Sequence, residues 1–479
     1  MSDPPTDPSL SLRRLVWLYF WLLLSEGALR KWLLPGLSGP LLLVRDPVAI
    51  AIYAMAIKEN LFPRSGLISC TCLLAALSLA ASSAGLGNWV VTVYGLRADF
   101  LHLPLVVLLP RILKPEDVRR MGLALLAVAP VIAAMAVEQF KSGPASRWNV
   151  GAGGEIGGQL YAAQGKVRAS GTFSFATGLA TYLGLCAAFL LHDLISRRVY
   201  PRWLVFAALL SLVLTLAVSG SRSAVIAVAV VCCMVLYVAV RRQKQFGAAL
   251  RPVLLTLIAA GLLSRFAPVF DEGISVHRDR FASGGGIKEG IAVRTGREYA
   301  AAWDRLFTSP LLGVGLGVGT NVGASLLRGR REFTLGEGEW ERVIMESGPV
   351  LGPAYIGLRL ATFLTVLGAA LAAYRTGRTL PLLLVGVSGL DMVTGQFGQP
   401  TALGFAVFTS GLALAACAAE EAIEREEPTE EVSGVPRIRG RSAYAERLHG
   451  GEGMRGTLRR GARADTRGAC ATRRGLRAQ

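Results

Sequence analysis

The chain has 479 residues, of which 52% are hydrophobic and only 18% charged, with a mean hydropathy of +0.46. Soluble domains carry about a quarter of their residues as charges, so this composition excludes an ordinary water-soluble enzyme and points to a chain that lies mostly in lipid. The formal charge of +18 is no mark of nucleic-acid binding, because half of it falls after Val435, where 12 Arg face only Glu446, Glu452 and Asp465.

Apolar stretches recur at lengths suited to the roughly 30 Å of hydrocarbon in a bilayer. Three of them, at 15–34, 41–57 and 99–113, contain a few charges. Cleaner ones lie at 67–84, 121–137, 175–191, 203–218, 224–240, 253–263, 350–373, 380–390 and 402–418. The expected architecture is an all-α polytopic membrane protein with about 12 transmembrane helices. The first stretch has no small-residue cleavage site after it and continues through Glu26, Arg30 and Lys31, so it is expected to stay as a helix. Cys70, Cys72, Cys186, Cys232, Cys233 and Cys417 fall in or beside apolar stretches without metal-ligand spacing, and are expected as small buried packing residues.

Lys and Arg gather in the loops 58–64, 111–120, 195–202, 241–251 and 375–378, and at Arg13 and Arg14. The positive-inside rule makes those loops and both termini cytoplasmic. Two polar segments, about 139–172 and 271–344, then face the opposite side, and loops of that size commonly carry sites. The transmembrane domain is expected to cover 1–419. The tail 420–479 begins acidic and turns Arg- and Gly-rich, the composition of a disordered cytoplasmic segment.

Candidate chemistry lies in those polar segments. Ser219-Gly220-Ser221-Arg222 is a small turn between two apolar stretches; Arg222 offers a planar fork for a phosphate or diphosphate, or else is a helix-end arginine reaching the interface. Lys166 and Arg168 precede Ser170-Gly171-Thr172-Phe173, as a ligand site or a structural cap. Arg294 and Arg297 precede Tyr299 and Trp303. The string from Pro310 to Gly317 has GxGxG spacing but no strand before it, no helix opening on it and no P-loop lysine, which excludes a nucleotide site. Glu337, Glu339 and Glu341, with Trp340 and Arg342, precede Glu346-Ser347-Gly348-Pro349. Carboxylates are costly to bury there, so they are expected to face water, a partner or a substrate, and one of them could act as a general base. Arg359 and Asp391 interrupt apolar stretches, as a buried ion pair or a proton path.

The segments Glu26 to Trp32, Val44 to Pro47, Tyr94 to Phe100, Arg168 to Phe173, Ser219 to Arg222, Pro310 to Gly317, Glu339 to Arg342 and Glu346 to Gly348 form an ordered set. In that order and spacing the chain resembles the bacterial O-antigen ligase and lipid-linked polysaccharide polymerase superfamily, in particular its exopolysaccharide polymerase branch. The tail is not covered. The resemblance implies a helical, GT-C-like glycosyltransferase fold with a large periplasmic loop, located in the inner membrane. It implies transfer of a glycan from an undecaprenyl diphosphate carrier to an acceptor sugar hydroxyl, with no metal, cofactor or nucleotide sugar. Arg222 takes the place of the family's outer, diphosphate-handling arginine, and Arg294 or Arg297 that of its loop arginine. Glu337 stands where the ligases carry a histidine, while Glu339-Trp340 matches the polymerase branch. Lys166, Arg168, Trp340 and Arg342 complete the implied substrate-binding set. The implied partners are the undecaprenyl-diphosphate-linked glycan, membrane lipid, a flippase and a chain-length regulator. The alternatives are a ligase that delivers the glycan to another acceptor, and a transporter. Lopsided polar loops and the lack of an internal repeat count against a transporter.

Overall fold

The computed structural model describes residues 8–85, 88–196, 199–241, 246–282, 298–329, 335 and 338–426. Arg294, Arg297, Glu337 and the tail from 427 onward lie outside the described residues. The chain divides into Met1–Glu427 and Pro428–Gln479, and every described residue belongs to the first unit. Its last helix continues to Glu426, past Ala419, where the tail was expected to begin.

Among the described residues every regular element is helical, with one isolated antiparallel bridge between Tyr161 and Val167. Seven helices are long and apolar enough to cross a membrane: Pro35–Lys58, Gly66–Ala84, Pro115–Lys141, Ala176–Ile195, Arg222–Arg241, Glu339–Arg375 and Pro400–Cys417. The number rises to nine if two bent pairs each count as one span, Trp89–Leu101 with Leu105–Ile112 (48°) and Leu250–Phe266 with Pro268–Ala282 (110°). The remaining expected spans differ for visible reasons. Arg202–Val218 and Leu380–Thr394 are apolar but short, and Leu10–Ala28 carries Arg13, Arg14 and Glu26.

The outward surface fits a lipid solvent. Leu73, Leu236, Leu257 and Leu364 are all more than half exposed, as expected where lipid rather than water covers the helices. Cys70, Cys72, Cys232 and Cys233 share this exposed surface, Cys417 is half-buried, and among the described cysteines only Cys186 is buried. The expectation of buried cysteines fails because their helices turn those faces outward. Ala176–Ile195 and Pro400–Cys417 are the inner helices, 94% and 89% buried over their apolar windows. Packing around them relies on small residues, the usual device where lipid removes the hydrophobic drive between helices. Gly411 seats Leu109, Gly389 seats Phe363, and Gly184 meets Ala227 and Val387.

Polar pins fix both ends. Near the N-terminus, Asp117 accepts a fork from Arg13 (2.9 and 2.8 Å), the Trp17 indole N–H (3.1 Å) and the Lys114 amide (3.0 Å). At the other end Gln139 accepts from the Ser170 and Gly171 amides (2.9 and 2.8 Å) and donates to the Gly171 carbonyl (3.1 Å). These bonds hold segment 142–175 over that end of the bundle. Two stretches there, Leu29–Leu33 and Arg97–Leu101, are π-helical. A π turn widens the helix locally and recurs at functional sites; here the two carry Arg30, Lys31, Arg97 and Asp99 inward.

The helix Glu339–Arg375 breaks at Gly348 (φ 81°, ψ 176°), immediately before Pro349. The Pro310 to Gly317 turn lies against the break, with the Val314 amide donating to the Met345 carbonyl (2.9 Å) and the Gly315 amide to that of Glu346 (3.1 Å). A Cβ on Gly348 would stand 2.8 Å from the Gly313 nitrogen, and one on Gly317 (φ +84°) 2.9 Å from the Gly95 nitrogen. The glycine string therefore serves to thread a backbone between two helices. Gly348→Ala should destabilise the protein by about 2 kcal/mol or more, from the left-handed conformation and the lost close approach. Gly357→Ala, in the same helix with open space around its Cβ position, should be neutral or slightly stabilising. Thermal unfolding in detergent followed by tryptophan fluorescence checks the pair; equal midpoints would contradict this account.

Candidate functional site

Six charged side chains from the N-terminal third meet inside the bundle: Glu26, Arg30, Lys31, Arg45, Asp46 and Arg97, none more than 8% exposed. Arg45 donates to Glu26 (2.9 Å) and to the Pro400 carbonyl (2.5 Å). Arg30 reaches the Ser174 hydroxyl at 3.1 Å and Glu26 at 3.4 Å. Arg97 grips Asp46 with two nitrogens (2.7 and 3.0 Å), and His102 meets the same carboxylate at 3.0 Å. Lys31 spends its three donors on the Ser170 hydroxyl (2.8 Å) and the carbonyls of Gly171 (3.1 Å) and Phe173 (2.9 Å). Four cations thus face two carboxylates. Arg97 Nη1 and the Tyr94 hydroxyl are buried with no hydrogen-bond partner.

A second buried network centres on Arg342. It donates to Asp99 (2.8 Å), to both oxygens of Glu339 (3.0 and 3.0 Å) and to Glu346 (2.6 Å). Arg359 donates to Glu339 (2.6 Å) and to the carbonyls of Met392 and Gly395 (2.8 Å each), and its guanidinium lies 3.7 Å from the Phe397 ring centre. Glu339 also accepts from the Phe397 amide (3.2 Å), and Glu346 from that of Gly319 (2.8 Å). This corrects the expectation that the carboxylates face water, since Glu339 and Glu346 are each 1% exposed. Residues 339, 342 and 346 stack on one helix face by their i, i+3 and i+4 spacing. Arg342 on that face, and Arg359 from beyond the Gly348 break, compensate the burial. Glu341 points elsewhere, to Arg305 at 2.9 Å. Arg359 and Asp391 do not pair through their side chains; the Asp391 carboxylate accepts from Thr181 at 2.9 Å.

Two cavities adjoin these networks. The larger, about 710 Å³, has Arg30, Asp46, Tyr94, Arg97, Asn321, Ser325 and Gln399 among its lining residues, together with Trp89, Val90 and Val93. The smaller, about 240 Å³, is lined by Thr181, Ser223, Asp391, Gln396 and Gln399, with apolar neighbours. Gln399 belongs to both walls.

Arg222 begins its helix beside Ser223, and the turn before it lies on Arg168: a Cβ on Gly220 would stand 3.9 Å from the Arg168 Cα. Both arginines are partly exposed. Arg168 and Arg280 donate to the Tyr161 carbonyl (3.0 and 3.2 Å), and the helix Pro268–Ala282 is tied down nearby through His277 and the Leu216 carbonyl (3.0 Å). Lys166 is paired with Glu272 at 2.6 Å. Trp340 donates to the Val393 carbonyl (2.9 Å) and packs on Tyr299 (4.9 Å between ring centres).

Of the residues singled out in the sequence, Arg168 therefore adjoins the turn that precedes Arg222. Glu339 and Arg342 are interior, Lys166 is held by Glu272, and Trp340 anchors the Val393 segment. Arg294, Arg297 and Glu337 lie outside the described residues. The residues that sequence reasoning left without a role are Arg30, Asp46, Tyr94, Arg97 and Asp99. For Arg30, Asp46 and Asp99 the signal was present as charges inside apolar stretches, which mark functional positions by default. Comparison with protein-family models gives no match, and comparison with curated proteins gives none either.

Arg359→Met should cost about 3–5 kcal/mol, the usual penalty for breaking one side of a buried ion network, and should deplete the monodisperse peak in gel filtration. Arg222→Ala should elute as wild type. A stable Arg359→Met protein would remove Arg359 as a structural centre.

Proposed function

We propose that the protein is a polysaccharide polymerase working at the periplasmic face of a bacterial inner membrane, where it joins oligosaccharide repeats carried on undecaprenyl diphosphate. The observation that carries this reading is the packing of the Gly220 turn against Ala162 and Arg168, with Ser223 at the start of the Arg222 helix lining a cavity that also holds Thr181 and Asp391. Counting Leu10–Ala28, Arg202–Val218 and Leu380–Thr394 as crossings beside the nine brings the total to twelve, which agrees with a GT-C-like arrangement. An even number leaves both termini on one side, and the distribution of Lys and Arg makes that side cytoplasmic.

In this reading Arg222 and Arg168, with Arg294 or Arg297, hold the carrier diphosphate. The acceptor hydroxyl oxygen bonds to the anomeric carbon as the bond to the diphosphate breaks. The hydroxyl proton passes to a carboxylate, and undecaprenyl diphosphate leaves. Negative charge grows on the leaving group, where guanidinium forks at a water-poor boundary stabilise it most. Glu339, bound by Arg342 and Arg359, positions the framework, and Glu337 takes the proton. A flippase supplies the substrate and a chain-length regulator acts on the product.

Reconstituted protein given lipid-linked repeats should produce a ladder of lengthened products, and Arg222→Ala should reduce the rate by about a hundredfold or more without loss of folded protein. Transfer only to an added non-carrier acceptor would make the protein a ligase. Transport of the substrate with no bond formed would make it a transporter.

A further inference from the structure

The larger cavity is not used by the mechanism above, yet it has the properties of a binding site. Its interior wall holds Arg30, Asp46, Tyr94 and Arg97, whereas Trp89, Val90 and Val93 are 60%, 66% and 56% exposed. One end is therefore charged and the other continuous with the lipid-facing surface. Behind the charged end Arg30 and Arg45 converge on Glu26 and Arg97 on Asp46. A guanidinium nitrogen left unused in such a low-dielectric interior is costly unless an anion completes it. Arg97 Nη1 and the Tyr94 hydroxyl, on residues 8% and 7% exposed, have no hydrogen-bond partner among the described residues. Arg97 is otherwise fixed by its fork on Asp46. A guanidinium held by one carboxylate with a nitrogen left over is preorganised for a second oxyanion.

We propose that this cavity is a second anion site, separate from the Arg222 turn, that takes the phosphate-type head group of a membrane amphiphile. Arg97 and Tyr94 bind the head group, and the apolar chain leaves past Trp89 and Val93. Asn321, Ser325 and Gln399 supply neutral hydrogen-bonding groups for whatever the phosphate bears. The inference does not depend on the polymerase reading.

The test measures binding to purified full-length protein in detergent by native mass spectrometry, with three probes: a polyprenyl monophosphate, a polyprenol of the same length, and dioleoylphosphatidylglycerol. The polyprenyl phosphate should bind at least about tenfold more tightly than the neutral polyprenol, the difference made by charge-assisted hydrogen bonds. Arg97→Gln should remove that preference. Because it also strips Asp46 of its partner, two milder variants accompany it. Tyr94→Phe deletes only the unpartnered hydroxyl. Gly39→Trp fills the cavity from a lining position where a Cβ meets nothing within 4 Å. Both should fold and weaken anionic binding, Gly39→Trp by about tenfold or more, while Arg222→Ala keeps the component that Gly39→Trp removes. If phosphatidylglycerol matches the polyprenyl phosphate, the head group comes from bulk phospholipid; if only the polyprenyl phosphate binds, it comes from an isoprenoid carrier. Either result supports the site. Equal binding of the neutral polyprenol, no anionic binding, or binding lost in Arg222→Ala but unchanged in Gly39→Trp overturns it. The last outcome would leave the proposed function standing.

Discussion

Arg342 is the interaction on which the rest of this structure depends. It gathers Asp99 from the π-helical stretch, Glu339 and Glu346 from its own helix, and through Glu346 the amide of Gly319. Through Glu339 it reaches Arg359, which holds the carbonyls of Met392 and Gly395. The segment those carbonyls belong to leads to Gln399, which lies in the walls of both cavities. One guanidinium therefore sets the position of the partition between two pockets. Packing in lipid gains little from the hydrophobic effect, so a charge network at the centre of the helix ends does what a dense apolar core does in a soluble protein.

The two networks differ in sign. The Arg342 network has three carboxylates against two guanidinium groups, and the network around Asp46 has four cations against two carboxylates. Asp99 and Arg97 lie on the same π-helical turn, so the two charge imbalances are neighbours and partly offset each other. The unused nitrogen of Arg97 belongs to a residue that lines the larger cavity. Such an arrangement prepares a field for an incoming anion without any movement of the protein.

The fold class was legible in the composition and in the recurrence of apolar stretches, because lipid demands helices that satisfy their own backbone. The turn at Ser219–Arg222 was legible too, as small polar residues between two apolar stretches, though not what it packs against. What the sequence could not show was which charged residues face inward. Glu339, Arg342 and Glu346 read equally well as a solvated helix face, and only the position of Asp99 and Arg359 across the bundle turns that face into a core. The glycine string after Pro310 could be denied a nucleotide but not given a purpose, because its partners Gly95 and Gly348 are remote in sequence.

Counting donors separates the arginines by role. Arg342 and Arg359 each engage all three of their nitrogens on groups within the protein, and guanidinium groups so bound hold the framework. Arg97 uses two nitrogens and keeps one. Arg222 forms no hydrogen bond or ion pair among the described residues, while the turn that carries it is fixed by Ser219, whose hydroxyl donates to the Leu216 carbonyl (2.9 Å) and accepts from the Ser221 amide (3.3 Å). A fixed backbone under an unused fork is the condition for recognising an oxyanion that arrives from outside. The same residue type thus serves as framework where all its nitrogens are engaged and as a receptor where they are not, and the order Arg342, Arg97, Arg222 runs from one role to the other.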